Sequence, residues 1–127
     1  MATVLSEDWL RDAAPRVNDD DGFGRVSEAF EATVVFGVDG ADTAAAFADG
    51  HVTVLGDPEY ETWDVAMRAP EETWEKMLAE TPPPRHHDLI GAWLQADLVI
   101  EGDLRLAMRH LRPLKRLVAA FREVETR

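Results

Sequence analysis

The sequence predicts an α+β fold in which a single twisted, mostly antiparallel five-stranded sheet is covered on one face by helices. Three observations carry that expectation. Hydrophobicity alternates with period two from Phe30 to Asp39, as a strand with one buried face requires. Asp49-Gly50 lies between two strand-like runs, and this dipeptide suits the two positive-φ positions of a tight hairpin turn. Helical spacing is confined to segments before and after the strand run, so the helices should pack together on one sheet face. The 127 residues contain 46% apolar side chains, with no linker and no internal repeat, and read as one domain over 1–127 with a substantial core.

Ser6 is placed to cap a first helix. Glu7 and Asp8 occupy its first turn, near the positive end of the dipole, and Trp9, Leu10, Ala13 and Val17 recur at helical spacing. Pro15 weakens its last turns. The run from Asn18 to Gly22 is a break that can also cap a short helix carrying Phe23, Val26 and Ala29. In the first strand Phe30, Ala32, Val34, Phe36 and Val38 share a face.

The alanine-rich stretch 43–48 favours helix by propensity, but the hairpin at Asp49-Gly50 needs a strand on either side, so 43–48 and 51–55 both read as strands. After Gly56-Asp57-Pro58, alternation over 60–69 suggests a fourth strand, completing a meander. Pro70 at the first helical position opens a helix with the stripe Trp74, Met77 and Leu78, which Pro82-Pro83-Pro84 terminates. Leu89, Ile90, Trp93 and Leu94 mark another short helix. Leu98-Val99-Ile100 is a fifth strand, arriving by a crossover and oriented differently from its neighbour. Asp103, after Gly102, caps a long final helix with the apolar face Leu104, Met108, Leu111, Leu114, Val118 and Phe121, which Pro113 should kink or divide.

The composition narrows the function. There is no cysteine, which excludes disulfides, thiolate catalysis and zinc ribbons. No apolar run approaches a membrane span, and the first residues lack the character of a signal peptide, so a cytoplasmic location is the default expectation. The formal charge of −12 argues against a nucleic-acid platform. Only Lys76 and Lys115 among the 13 cations are lysines; an Asp/Glu-rich, Lys-poor balance suits solubility in high salt, although GC-rich coding also favours arginine. From Asp103 to Arg127 seven cations face three anions, a net +4 that leaves −16 on residues 1–102.

Taken in order, several segments resemble the sterol carrier protein 2 family. They are Glu7-Asp8-Trp9-Leu10 with Val17-Asn18-Asp19, Ala32-Thr33-Val34-Val35-Phe36, Asp49-Gly50 before a strand, and Pro70-Glu71-Glu72-Thr73-Trp74. The fullest match is Leu98-Val99-Ile100-Glu101-Gly102-Asp103-Leu104 with Ala107-Met108 and the stretch from Leu111 to Leu117, which resembles the family's last strand, Gly-Asp turn and closing helix. The chain departs from the family at Ala96, where a glycine is common, and at the tripled proline and His86-His87.

The resemblance implies an apolar tunnel for a lipid ligand, such as a sterol, fatty acid, acyl-CoA or isoprenoid-like molecule. Its expected floor is Phe30, Val34 and Phe36, and its expected lid is Trp74, Leu78, Trp93, Leu94, Met108 and Leu111. The alternative is a filled core in a non-catalytic protein–protein or accessory domain, because a shared fold does not fix a ligand.

No catalytic constellation emerges, and no cofactor or metal is expected. His86 and His87 would point about 100° apart on a helix, so they suit a solvated helix start better than a shared ion. His51 and His110 are isolated. Ser6 and Ser27 lack a nucleophile-elbow context, and Gly22-Phe23-Gly24 adjoins aspartates that would repel a phosphate. Arg105, Arg109, Arg112 and Arg116 share one stripe of the final helix. That stripe is either ordinary solvated surface or a contact for an anionic membrane or a ligand head group.

Overall fold

A computed structural model describes residues 3–79, 81–82, 86, 89–95 and 97–125; for Tyr60, Ile90, Leu94 and Gln95 it describes the backbone alone. Helix α1 (Glu7–Asn18) starts where the Ser6 hydroxyl accepts the backbone N–H of Trp9 at 3.3 Å. Trp9, Leu10, Ala13 and Val17 form its buried face, as their spacing dictates, and Pro15 lies on the exposed side. Asn18 ends the helix and clamps the sheet edge. Its amide donates to the Val52 carbonyl at 3.0 Å, and its carbonyl accepts the Val52 N–H at 2.8 Å. Helix α2 (Asp21–Val26) is capped by Asp20 and buries Phe23.

Five strands follow, β1 (Ala32–Val38), β2 (Ala41–Ala48), β3 (His51–Gly56), β4 (Val65–Ala69) and β5 (Val99–Gly102), in the spatial order β3-β2-β1-β4-β5. The first three form an antiparallel meander. Both of its turns are two-residue Asp-Gly pairs with positive φ at both positions, 50° and 86° at Asp39-Gly40 and 54° and 76° at Asp49-Gly50. That is the backbone hand that matches strand twist.

The fourth strand does not continue the meander. β4 pairs parallel with β1, so the sheet is mixed, while β5 runs antiparallel to β4. The expected strand over 60–69 begins only at Val65, because the chain must first travel from β3 to the far side of β1. Pro58–Tyr60 forms a 3-10 turn on this route, and Trp63 packs against Val35, Ala44 and Ala66 on the sheet face opposite the helices. Parallel neighbours need such a crossover, whereas antiparallel ones do not.

The remaining helices are α3 (Glu71–Met77), α4 (Leu89–Gln95), α5 (Leu104–Arg109) and α6 (Leu111–Glu125). Pro70 is the cap of α3 rather than its first helical residue. The final helix is divided at His110, not bent at Pro113. Pro113 is the third residue of α6, where a missing N–H leaves no intrahelical bond unmade; its ring opposes the carbonyl four residues back, which belongs to Arg109 at the end of α5.

One continuous apolar core lies between the sheet and the helices. It joins Val34, Phe36, Phe47 and Met67 from the strands to Trp9, Phe23, Trp74, Leu117 and Phe121 from the helices. Each such side chain contributes about 1.5–3 kcal/mol by leaving water. Among the described residues no helix is long and apolar enough to cross a membrane.

Candidate functional site

The expected floor residues stand on the helix-bearing side of the sheet. Val34 and Phe36 alternate along β1, 0% and 1% exposed, and Phe30 just ahead of that strand is 2% exposed. The Phe30 ring lies 5.3 Å from that of Phe47 and 5.1 Å from the imidazole of His110. Phe36 meets Phe121 of α6 edge-on at 5.8 Å. On α3, Trp74 buries its ring in the same core, and its indole N–H donates to the Gly37 carbonyl at 2.9 Å, which fixes how α3 sits over β1. Leu78, at the end of α3, is fully buried.

Trp93 of α4 and Leu111 of α6 are partly buried against this core. Seven of the nine residues expected around an apolar cavity therefore occupy one cluster. Met108 does not; it is 38% exposed beside Leu104 at 39%. Leu94 lies on α4, with its side chain outside the described set. Phe47, Met67 and Phe121 belong to the same cluster but were not expected as site residues. Pairing across the Asp49-Gly50 turn sets Phe47 opposite Val52, a register that could have placed it.

Two surface hollows outlined by described residues lie elsewhere and are charged. One of 640 Å³ is bordered by Asp20, Asp21, Glu28 and Asp49 with Arg25 and His51. Another of 540 Å³ lies between the Asp57–Glu59 segment and the β1–β2 turn, beside Trp63 and Arg68. Among the described residues no group of three or more His, Asp or Glu side chains is arranged to hold a metal. The Ser27 hydroxyl donates to the Phe23 carbonyl at 2.5 Å, and Ser6 is engaged as a helix cap. The His51 ring lies 3.0 Å from the Asp49 carbonyl. His87 and Asp88, Pro83 and Pro84, and Ala96 lie outside the described residues.

The four arginines of the expected stripe do not act alike. Arg105, Arg109 and Arg112 are exposed, but Arg116 is half-buried and binds the Asp20 carboxylate at 3.2 and 2.5 Å. Burial alone would raise the Asp20 pKa. Hydrogen bonds from Arg116 and from the Phe23 and Gly22 backbone, with the Arg116 charge, outweigh burial and hold it below the ordinary carboxylate range. On the opposite sheet face Arg68 bridges Glu101 at 2.5 Å and Asp42 at 3.4 Å and lies over the Trp63 ring. Gly37 leaves room for that bridge, since a Cβ there would stand 2.6 Å from Arg68 and 2.7 Å from Asp42.

A mixed five-stranded sheet with helices over one face, closed by a Gly-Asp turn and a divided C-terminal helix, defines a small α+β class with its apolar interior between sheet and helices. The chain belongs to the SCP-2 sterol transfer family, whose model matches residues 10–115. Similar folds have been solved. A conserved hypothetical protein from Thermus thermophilus, described as possibly a sterol carrier protein, is 15% identical, with a TM-score of 0.72 over 94% of this chain and 88% of that one. A sterol carrier protein 2 is 14% identical, with a TM-score of 0.70 over 93% and 96%. A UbiJ-SCP2 ubiquinone synthesis protein is 14% identical, with a TM-score of 0.61 over 97% and 93%. No curated protein matches the chain at a significant level.

Proposed function

We propose that this protein binds, and passes on, an apolar lipid held between the helix-bearing sheet face and α3, α4 and α6. The observation that carries this reading is the family match, which takes in the whole sheet and the helices α2 to α5. A sterol carrier protein and a ubiquinone synthesis protein are among the similar structures, and sterols and ubiquinone are both large and apolar. A sterol, a fatty acid, an acyl-CoA or an isoprenoid-like chain would suit a space walled by Phe30, Val34, Phe36, Trp74, Leu78, Trp93 and Leu111.

Helices α3 and α4 have seven residues each, too short to be stable alone. Their place is therefore set by packing against the core, and a ligand entering there has to displace part of that packing. The role is carriage rather than catalysis, and it calls for no cofactor.

The second reading, a filled core in an accessory domain, is favoured by one observation. Phe30, Val34, Phe36, Trp74 and Leu78 are each 2% exposed or less and belong to one continuous cluster. Native mass spectrometry of freshly purified protein, followed by titration with a pyrene-labelled long-chain fatty acid, separates the two. Carriage predicts co-purified lipid, saturable quenching of tryptophan emission, and a Trp93→Ala variant that loses affinity well before it loses stability. A clean apo mass with no saturable change supports the filled core, as does equal loss of binding and stability in Trp93→Ala. A broad hydrolase and thioesterase screen tests for an activity beyond carriage.

A further inference from the structure

We infer that α5, with the start of α6, is the face on which this protein docks to an anionic lipid bilayer. Leu104 and Met108 are 39% and 38% exposed and stand one turn apart on a six-residue helix. At about 100° per residue, Arg105 and Arg109 lie beside them on the solvent side, while Leu106 and Ala107 turn inward. Arg112 follows, also exposed. None of these three arginines forms an ion pair among the described residues, which is true also of Arg16 and Arg25, whereas Arg11, Arg68 and Arg116 are paired.

In a chain with a net charge of −12, carboxylates to neutralise them are plentiful. Two exposed apolar side chains flanked by unpaired cations match an interfacial helix, which sets the former at the acyl boundary and the latter among lipid phosphates. The −16 carried by residues 1–102 is repelled by the same surface, so charge favours the net-positive C-terminal segment as the part that faces it. Helix α1 is more acidic on its solvent side, where Glu7, Asp8 and Asp12 accompany Arg16 and an Arg11 that is taken by Glu7 at 3.0 Å.

The C-terminal cap of α5 is His110, whose ring lies 5.1 Å from that of Phe30. Docking on α5 therefore sets the bilayer beside the floor of the proposed lipid site. That consequence rests on the carriage reading; bilayer binding itself does not.

The test is co-sedimentation with vesicles of phosphatidylcholine alone and of equal phosphatidylcholine and phosphatidylglycerol, at low and high salt. Wild type should bind the anionic vesicles only, and release them as salt screens the contact. The triple variant Arg105→Gln, Arg109→Gln, Arg112→Gln should lose about fivefold per arginine, roughly a hundredfold together. The corresponding lysine triple should keep most of the binding. Leu104→Ser with Met108→Ser should weaken it by about tenfold, while thermal melts of all variants stay near wild type.

Absence of binding at low salt, equal binding to neutral vesicles, or an unchanged glutamine triple overturns the proposal. So does capture of an acidic polypeptide by this face without capture of vesicles. Fatty-acid uptake without vesicle binding removes the docking face and leaves carriage standing; vesicle binding without uptake does the reverse.

Discussion

Gly102 and Asp103 make the turn into α5 on a demanding backbone. Gly102 has φ +95°, and a Cβ there would overlap the Asp64 carbonyl and approach the Trp63 ring to 2.9 Å. The same carbonyl accepts the Asp103 N–H at 2.8 Å. Gly102→Ala should therefore destabilise by about 2–4 kcal/mol, read as a lower urea midpoint with an unchanged slope. Asp103 accepts the Leu106 N–H at 3.0 Å as the cap of α5. Asp103→Ala should cost about 1 kcal/mol in the same measurement and Asp103→Asn much less, because asparagine still caps. A catalytic carboxylate at this position would instead leave the melt unmoved in both.

Among the elements, the joint between α2 and α6 depends on one ion pair that spans the chain. Asp20 both caps α2 and holds Arg116, so the pair locks the C-terminal helix against the N-terminal layer. Asp20→Asn keeps the cap and removes the charge. A cycle with Arg116→Gln should give a coupling of about 1–2 kcal/mol at neutral pH. The sign with pH follows from the lowered Asp20 pKa. The carboxylate is stabilised in the folded state, so its contribution is fully present above the ordinary aspartate value near ~4 and is lost as pH falls through the lower folded value. Coupling that is the same at pH 3 and pH 7 would show that geometry rather than charge joins the helices.

At the scale of the whole molecule, an excess of 25 acidic over 13 basic side chains repels itself once folded. The screening length shrinks from ~30 Å at 0.01 M salt to ~3 Å at 1 M. The melting temperature should accordingly climb across a KCl series, steeply at first and then levelling off. A melt that is flat from dilute buffer to molar KCl would mean that the surface charge is not a stability determinant. Docking on α5 should move the opposite way with salt, so the two effects are separable in one titration.

What the sequence determined by itself was local. The Ser6 and Asp103 caps, the Asp49-Gly50 hairpin and the alternation along β1 were legible because each is a preference of a few adjacent residues for one backbone shape. The buried face of β1 was legible for the same reason, since period two forces Val34 and Phe36 onto one side. What only tertiary structure decided was which distant surface each element meets. No periodicity in 60–69 says that the connection before β4 will cross the sheet face opposite the helices and that β4 will pair parallel with β1, because pairing is chosen by the path of the crossover. The division of the last helix at His110 follows from where Pro113 could be tolerated. Arg116 and Arg109 were equivalent on a helical stripe, yet Arg116 meets an aspartate 96 residues away, while Arg109 and its neighbour Met108 stay at the surface. Spacing sets which way a side chain points from its own axis, and only packing decides what, if anything, covers it.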